Sequence, residues 1–169
     1  MDITEVLRTI PFFASVLTSD KMAALAGQLR LVTFIEGAVL MWQADAGSSM
    51  VAIVDGEARV TARDRNGDDV EVAVLRTGDI VGEMSLLTGA RRRATVLATS
   101  RVTALEIGKE ALEPLLAASP GLVHRFAEVM EERQAALDRA YDSAGHWNIL
   151  GLGREQVATL IGSFFKHRS

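Results

Sequence analysis

Residues 48–75 read SSMVAIVDGEARVTARDRNGDDVEVAVL, and this stretch decides the fold class. Three short apolar-rich segments, SSMVAIV, EARVTAR and DVEVAVL, are separated by Asp55-Gly56 and by a stretch holding Asn66-Gly67. Such dipeptides tolerate the positive φ angles of tight hairpin turns, so two hairpins are predicted. Working outward, a period of two begins at Leu31 and runs through Val32, Phe34, Val39, Met41, Val51 and Ile53. ATVLATS and RVTALEI, residues 94–107, are two further short strands. Several short strands with turn signals between them point to an antiparallel barrel or sandwich.

Both ends of the chain change period. Ile3 to Leu29 reads as short helices, the first broken at Ile10-Pro11, because proline disfavours helix in the residue before it. Thr18, Ser19 or Asp20 is placed to cap the next helix, which carries Met22, Leu25, Ala26 and Leu29 on one face. Lys109 to Ala118 is a helix ending near Ser119-Pro120, and Gly121 to about Tyr141 is a longer one. The expected organisation is a domain over 1–141, a glycine-containing linker over 142–153, and an amphipathic helix over 154–169. That last segment bears Val157, Leu160, Ile161, Phe164 and Phe165 at helical spacing. The fold class is therefore α+β, with antiparallel strands flanked by N- and C-terminal helices.

Composition narrows the function. At 169 residues the chain has the length of about one domain. Hydrophobic residues make up 49% and charged residues 24%, the balance of a folded domain rather than a disordered one. The 18 basic residues are outnumbered by 22 acidic ones, so the basic surplus of a nucleic-acid-wrapping domain is missing. No cysteine is present, which excludes disulfides, zinc–thiolate sites and thiol catalysis. The opening MDITEVLRTIPFFASVL has acidic residues where a signal peptide needs a basic start, and no run approaches the ~20 apolar residues of a spanning helix. A soluble, cytoplasmic polypeptide is expected. His124, His146 and His167 lack ligand spacing, so no metal site is expected. No Ser-His-Asp set or acid/base carboxylate pair stands out either, so the chain is expected to bind rather than catalyse.

The chemistry concentrates in residues 78–96, GDIVGEMSLLTGARRRATV. Gly82 lets backbone approach a ligand closely. Glu83, Met84 and Ser85 then open a short helix, whose free N–H groups and positive dipole end attract an anion. Arg92 follows where a loop can fold back toward that helix start. An arginine fork aimed at the same point makes a phosphate site. Glu83 would repel phosphate but suits a hydroxyl donor, so the set asks for a sugar phosphate with a free hydroxyl nearby. Of the three consecutive arginines, the side chains of Arg91 and Arg93 are expected in solvent. Gly82 and Gly89 do not form a P-loop, since no Gly-Lys-Ser/Thr follows.

This segment resembles the phosphate-binding cassette of cyclic nucleotide-binding domains, roughly G-E-x-[AS]-L-L-x-G-x-x-R-x-A-T-V. The match covers Gly82, Glu83, Ser85, Leu86, Leu87, Gly89, Arg92, Ala94, Thr95 and Val96. It extends to Pro11-Phe12-Phe13, to the glycine turns at Gly37, Gly47, Gly56 and Gly78, and to the closing helices. The resemblance implies a β-roll, a jelly-roll-like barrel, with a cyclic nucleotide as ligand and no cofactor. It implies that Glu83 holds the ribose 2′-OH. Arg92, with backbone N–H groups of Met84, Ser85 and Arg93, would hold the cyclic phosphate, and Val60 and Val72 would line the base pocket. The family often carries Ser or Thr after the arginine, and Thr there favours cGMP. Arg93 departs from that pattern, so cAMP is expected to bind at least as well as cGMP.

Along the last long helix Val123, Phe126, Met130, Arg133, Leu137 and Ala140 recur at spacings of three and four. Arg133 interrupts this seam, and the resemblance implies that it stacks on the base as part of a lid. Three outputs compete for such a sensor. The tail, RQAALDRA followed by a glycine linker and a short helix, resembles the C-terminus of bacterial channels of the small-conductance mechanosensitive type. A membrane channel region upstream in the native chain and homo-oligomers through the C-terminal helices are then implied. A catabolite-activator-like transcription regulator needs a helix-turn-helix of roughly 60 residues after the long helix, which this tail cannot house. A regulatory subunit that inhibits an enzyme is the third possibility, although no pseudosubstrate segment is visible.

Overall fold

The structure, a computed structural model, describes residues 2–63 and 66–140. The expected linker over 142–153 and helix over 154–169 lie outside the described residues. Three short helices open the chain: α1 (Ile3–Arg8), α2 (Pro11–Ala14) and α3 (Ser19–Ala26). Asp2 caps α1 by accepting from the Thr4 N–H, and Pro11 takes the first position of α2. Thr18, of the three candidates, caps α3 by accepting from the Lys21 N–H.

The strands follow as β1 (Arg30–Phe34), β2 (Val39–Met41), β3 (Ser49–Asp55), β4 (Ala58–Arg63), β5 (Asp69–Leu75) and β6 (Ile80–Val81). A short helix, α4 (Glu83–Thr88), interrupts them before β7 (Thr95–Ala98) and β8 (Val102–Gly108). Helices α5 (Lys109–Ala118) and α6 (Pro120–Ala140) close the described chain. The strands form two four-stranded antiparallel sheets, ordered β1-β8-β3-β6 and β2-β7-β4-β5. Mixed helix and antiparallel sheet, with eight strands rolled between helices, is the α+β β-roll expected from the sequence.

One of the two predicted hairpins differs. Asn66-Gly67 does join paired strands, with Ala58 opposite Leu75 and Arg63 opposite Asp69. Asp55-Gly56 instead carries the chain from one sheet to the other, and β3 pairs with β6 and β8 rather than with β4. The cause is packing. Met50 and Ala52 of β3 are buried among the helices, while Val51 and Ile53 are buried inside the roll. A strand covered on both faces reads as a continuous apolar run and sits in the sheet the helices cover. Gly56 has φ +106°, and a Cβ there would collide with the Arg101 carbonyl, so the crossover has no room for a side chain.

Two cores result. One lies between the β1-β8-β3-β6 sheet and the helices and contains Phe13, Leu105, Ile107, Leu112, Phe126 and Met130. The other fills the roll, with Val51, Ile53, Val60, Val96, Val102 and Ala104. Few aromatics contribute; Phe12 meets Phe13 edge-on at 5.1 Å between ring centroids and Phe126 at 4.5 Å.

Candidate functional site

The turn from β6 into α4 sits at the open end of the roll. Gly82 adopts φ +92°, the left-handed region, and its carbonyl accepts the first helical bond, from the Leu86 N–H. A side chain is excluded there for a second reason. A Cβ on Gly82 would lie 2.6 Å from Arg92 Nη1 and 2.6 Å from Met41 Cε. Gly47 makes room in the same way, since its Cβ would lie 2.5 Å from Arg92 Cζ. Two glycines far apart in sequence therefore leave the volume that one guanidinium occupies.

Arg92 is fixed in that volume. Nη1 donates to the Gly82 carbonyl at 3.2 Å and Nη2 to the Ser49 carbonyl at 2.8 Å. Its own backbone is clasped by the 42–48 loop: the Arg92 N–H donates to the Asp45 carbonyl at 2.8 Å, and its carbonyl accepts from the Ala44 N–H at 2.7 Å. Arg91 adds a bond from Nη1 to the Ala44 carbonyl at 3.0 Å. Ala44 has φ 74°, a conformation that costs an L-residue roughly 1–2 kcal/mol, which the surrounding bonds offset. Burial lowers the pKa of Arg92, while the carboxylates of Glu83 and then Asp45 pull it back up. The group stays charged, because a guanidinium is not deprotonated in proteins. Glu83 is fully buried at the start of α4, beside that cation. A buried carboxylate is tolerated only with such compensation.

These groups form the polar end of an open pocket. Gly82, Glu83, Met84, Ser85, Arg92 and Arg93 border it at that end. Val60, Val72, Ala73, Leu75 and Val96 border it with aliphatic surface, and Val60 stands opposite Ala73 across the β4–β5 pair. Of the residues expected in a site, the structure thus brings together Val60, Val72, Gly82 to Ser85, Arg92 and Arg93. Thr95 does not border the pocket; its hydroxyl accepts from the Gln43 N–H at 3.0 Å and ties β7 to the 42–48 loop. Arg133 lies on α6, and its side chain is outside the described residues.

One expectation is overturned. Arg91 is exposed as anticipated, but Arg93 is only 6% exposed and borders the pocket. The run of three arginines is not one solvated face, because the segment between α4 and β7 is irregular and turns successive side chains to different sides. Sequence reading missed Met41, Ala73, Leu75, Val81, Ala94 and Val96 as pocket residues. Ala94 and Val96 alternate along the stretch ATVLATS read as a strand, which is the signal that points to them. The clasp by Ala44 and Asp45 had no sequence signal. Among the described residues, no cluster of three or more His, Asp or Glu is placed to hold a metal ion.

A roll with a half-buried arginine and a buried acid at one end of an aliphatic pocket defines a ligand-binding domain. Residues 31–119 match the cyclic nucleotide-binding domain family, and the chain belongs to that family. The chain is 33% identical over 119 residues to a cAMP-dependent protein kinase regulatory subunit from Hypocrea atroviridis, covering 70% of this chain and 24% of that protein. It is 26% identical over 107 residues to the cyclic AMP receptor protein of Thermus thermophilus, covering 63% of this chain and 50% of the receptor. Among solved structures, the regulatory subunit of a cAMP-independent protein kinase A from Trypanosoma cruzi, bound to guanosine, superposes with a TM-score of 0.67 at 25% identity. That superposition covers 82% of this chain and 46% of the other. The chain spans between about a quarter and a half of these relatives' lengths.

Proposed function

We propose that this chain is a sensor domain that binds a cyclic nucleotide and thereby regulates a separate output unit, without catalysis of its own. The observation that carries this is Arg92, locked on the Gly82 and Ser49 carbonyls beside buried Glu83 at the polar end of the pocket. Arg92 and the N–H groups of Met84, Ser85 and Arg93 hold the cyclic phosphate. Glu83 accepts from the ribose 2′-OH, and Val60 and Val72 pack on the base. Arg133 of α6 closes over the base; α6 packs beside β5, the strand that carries Val72. The kinase regulatory subunits and the cyclic AMP receptor protein among the relatives support a regulatory role and a cAMP ligand. A membrane channel as the output rests on the tail alone, as does assembly of several copies through the C-terminal helices. Among the described residues, no helix is long and apolar enough to cross a membrane. A cytoplasmic place follows from the cyclic nucleotide reading. Calorimetric titration of the full chain with cAMP and cGMP tests the function: saturable one-site binding of either supports it, and binding of neither refutes it.

A further inference from the structure

The 42–48 loop, between β2 and β3, supplies much of the support of Arg92, yet packing does not hold the loop in place. From Trp42 to Ser48 no side chain is buried. Hydrogen bonds fix it instead. The last backbone pair between β2 and β7 is Met41 opposite Val96. Two residues further on, the Gln43 N–H donates to the Thr95 hydroxyl at 3.0 Å, so a side chain prolongs the ladder where the backbone pairing has ended. Gln43 Oε1 in turn accepts from the N–H of Arg63, the last residue of β4, at 2.9 Å. Gln43 thus ties the loop to both β7 and β4. Directly after it, Ala44 and Asp45 clasp the Arg92 backbone, and at the far end of the loop the Ser49 carbonyl takes Arg92 Nη2 at 2.8 Å. Ala44 is held at φ 74°, so the loop has a more relaxed backbone to fall into when its ties are cut.

We propose that Thr95 and Gln43 are positioning residues for Arg92: by pinning the 42–48 loop to β7 and β4, they preset the guanidinium before a ligand arrives. This rests on the cyclic nucleotide reading of the site. Thr95 then serves the phosphate without touching it. Its hydroxyl fixes Gln43, Gln43 fixes the strained clasp at Ala44 and Asp45, and the clasp fixes Arg92. A cation that is already in place loses less entropy when it meets its anion, so cutting the chain of bonds should appear as weaker binding.

The test uses the full chain and a double-mutant cycle. Thr95→Val keeps the branched shape and removes the hydroxyl, Thr95→Ser keeps the hydroxyl, and Arg92→Ala is made alone and together with Thr95→Val. Each is titrated with cAMP by calorimetry and checked for folding by thermal melting. Loss of one neutral hydrogen bond in the support predicts roughly three- to tenfold weaker cAMP binding in Thr95→Val, and Thr95→Ser should return to within about twofold of wild type. In the Arg92→Ala background, Thr95→Val should change the affinity by less than about twofold, because the residue it positions is gone. A role confined to the stability of the fold would not depend on Arg92 in this way. A folded Thr95→Val protein that binds cAMP like wild type overturns the proposal. So does an equal loss in both backgrounds, or a Thr95→Ser protein as weak as Thr95→Val. Should Thr95→Val not fold, Gln43→Ala, which cuts the tie to Arg63, takes its place in the cycle under the same criteria. A wild-type chain that binds neither cAMP nor cGMP refutes the parent function instead.

Discussion

Replacing Arg92 by alanine separates what this residue does for the fold from what it does for the ligand. Its guanidinium has five N–H donors. Two are engaged on the Gly82 and Ser49 carbonyls, at 3.2 and 2.8 Å, so the remainder are available to Glu83 and to an anion in the pocket. Because the fork is already held, a phosphate that meets it does not have to order it first, and little of the contact is lost to side-chain entropy. A charge-assisted hydrogen bond contributes about 1.5–3 kcal/mol, so Arg92→Ala should weaken cAMP binding roughly 10- to 150-fold. The fold should suffer less, because the pocket is open and water can reach the two carbonyls that lose their donor. A stability loss of about 1 kcal/mol corresponds to a few degrees in melting temperature for a chain this size. The pH dependence is a built-in control. Burial lowers the folded-state pKa of Arg92 below its unfolded value, so the unfolded chain binds the proton more tightly. The cost of burying the charge is therefore present below the folded pKa and relieved as pH rises toward the unfolded one, a strongly alkaline window. Between about pH 6 and 9 Arg92 should add no slope to affinity or stability. Calorimetry paired with thermal melting measures both. A folded Arg92→Ala protein that binds cAMP within twofold of wild type would falsify the assignment of the phosphate to this pocket end.

The other predictions concern neighbouring groups. Glu83→Ala should weaken cAMP but hardly change a 2′-deoxy analogue, which lacks the hydroxyl; equal losses for both ligands contradict the assigned role. Gly82→Ala places a Cβ 2.6 Å from Arg92 Nη1 at a φ of +92°, so it should cost roughly 1–3 kcal/mol of stability and also displace the guanidinium, seen as a lower melting temperature together with weaker cAMP binding. Unchanged melting would show that the turn relaxes freely. Arg93→Thr should raise the affinity for cGMP relative to cAMP, and competition titrations showing the opposite trend, or a several-fold cGMP preference in the wild type, remove the base-selectivity reading. Amide hydrogen exchange over Phe126 to Leu137 should slow at saturating cAMP if α6 is the lid; identical exchange with and without ligand excludes that role.

The cassette was legible because its information is local. Gly82, the short helix over Glu83 to Thr88 and Gly89 at φ 77° form a self-contained unit, in which turn chemistry and capping act within a few residues. Partner choice is not local. Asp55-Gly56 and Asn66-Gly67 look alike as dipeptides, yet one crosses between sheets and the other joins paired strands, because β3 is buried on both faces and β4 is not. Turn residues specify backbone angles and leave open which strand pairs with which. Arg93 failed for a related reason: in a charge run, burial is set by the cavity the rest of the chain builds, here from β4, β5 and α4. Gly47 read as a glycine turn, but its need for glycine comes from Arg92, 45 positions along the chain.

The placement of α4 ties the pocket to the helical core. Glu83, Met84 and Ser85 border the pocket, while Leu86 and Leu87, on the same six-residue helix, are buried in the core that holds Phe13, Phe126 and Met130. A helix this short moves as a unit, so a ligand that draws its first turn toward the phosphate also shifts the two leucines. A close-packed core absorbs such a shift poorly, since each residual cavity costs about 24 cal/mol per Å³. The helix α6 touches α4 and also packs on α5 and β5. The helical run from Lys109 to Ala140 is broken only at Ser119, which has φ −135° and ψ 85°. Lys21 of α3 pins that break by donating to the Ala118 carbonyl at 3.3 Å and to the Ser119 hydroxyl at 2.7 Å. With the break anchored to α3, and α5 packed on β8 and α3, a displaced α4 is expected to shift α6 about Ser119. On the cyclic nucleotide reading proposed above, phosphate at Arg92 should therefore alter the position of α6, and hydrogen exchange over Phe126 to Leu137 is the measurement that reads that change.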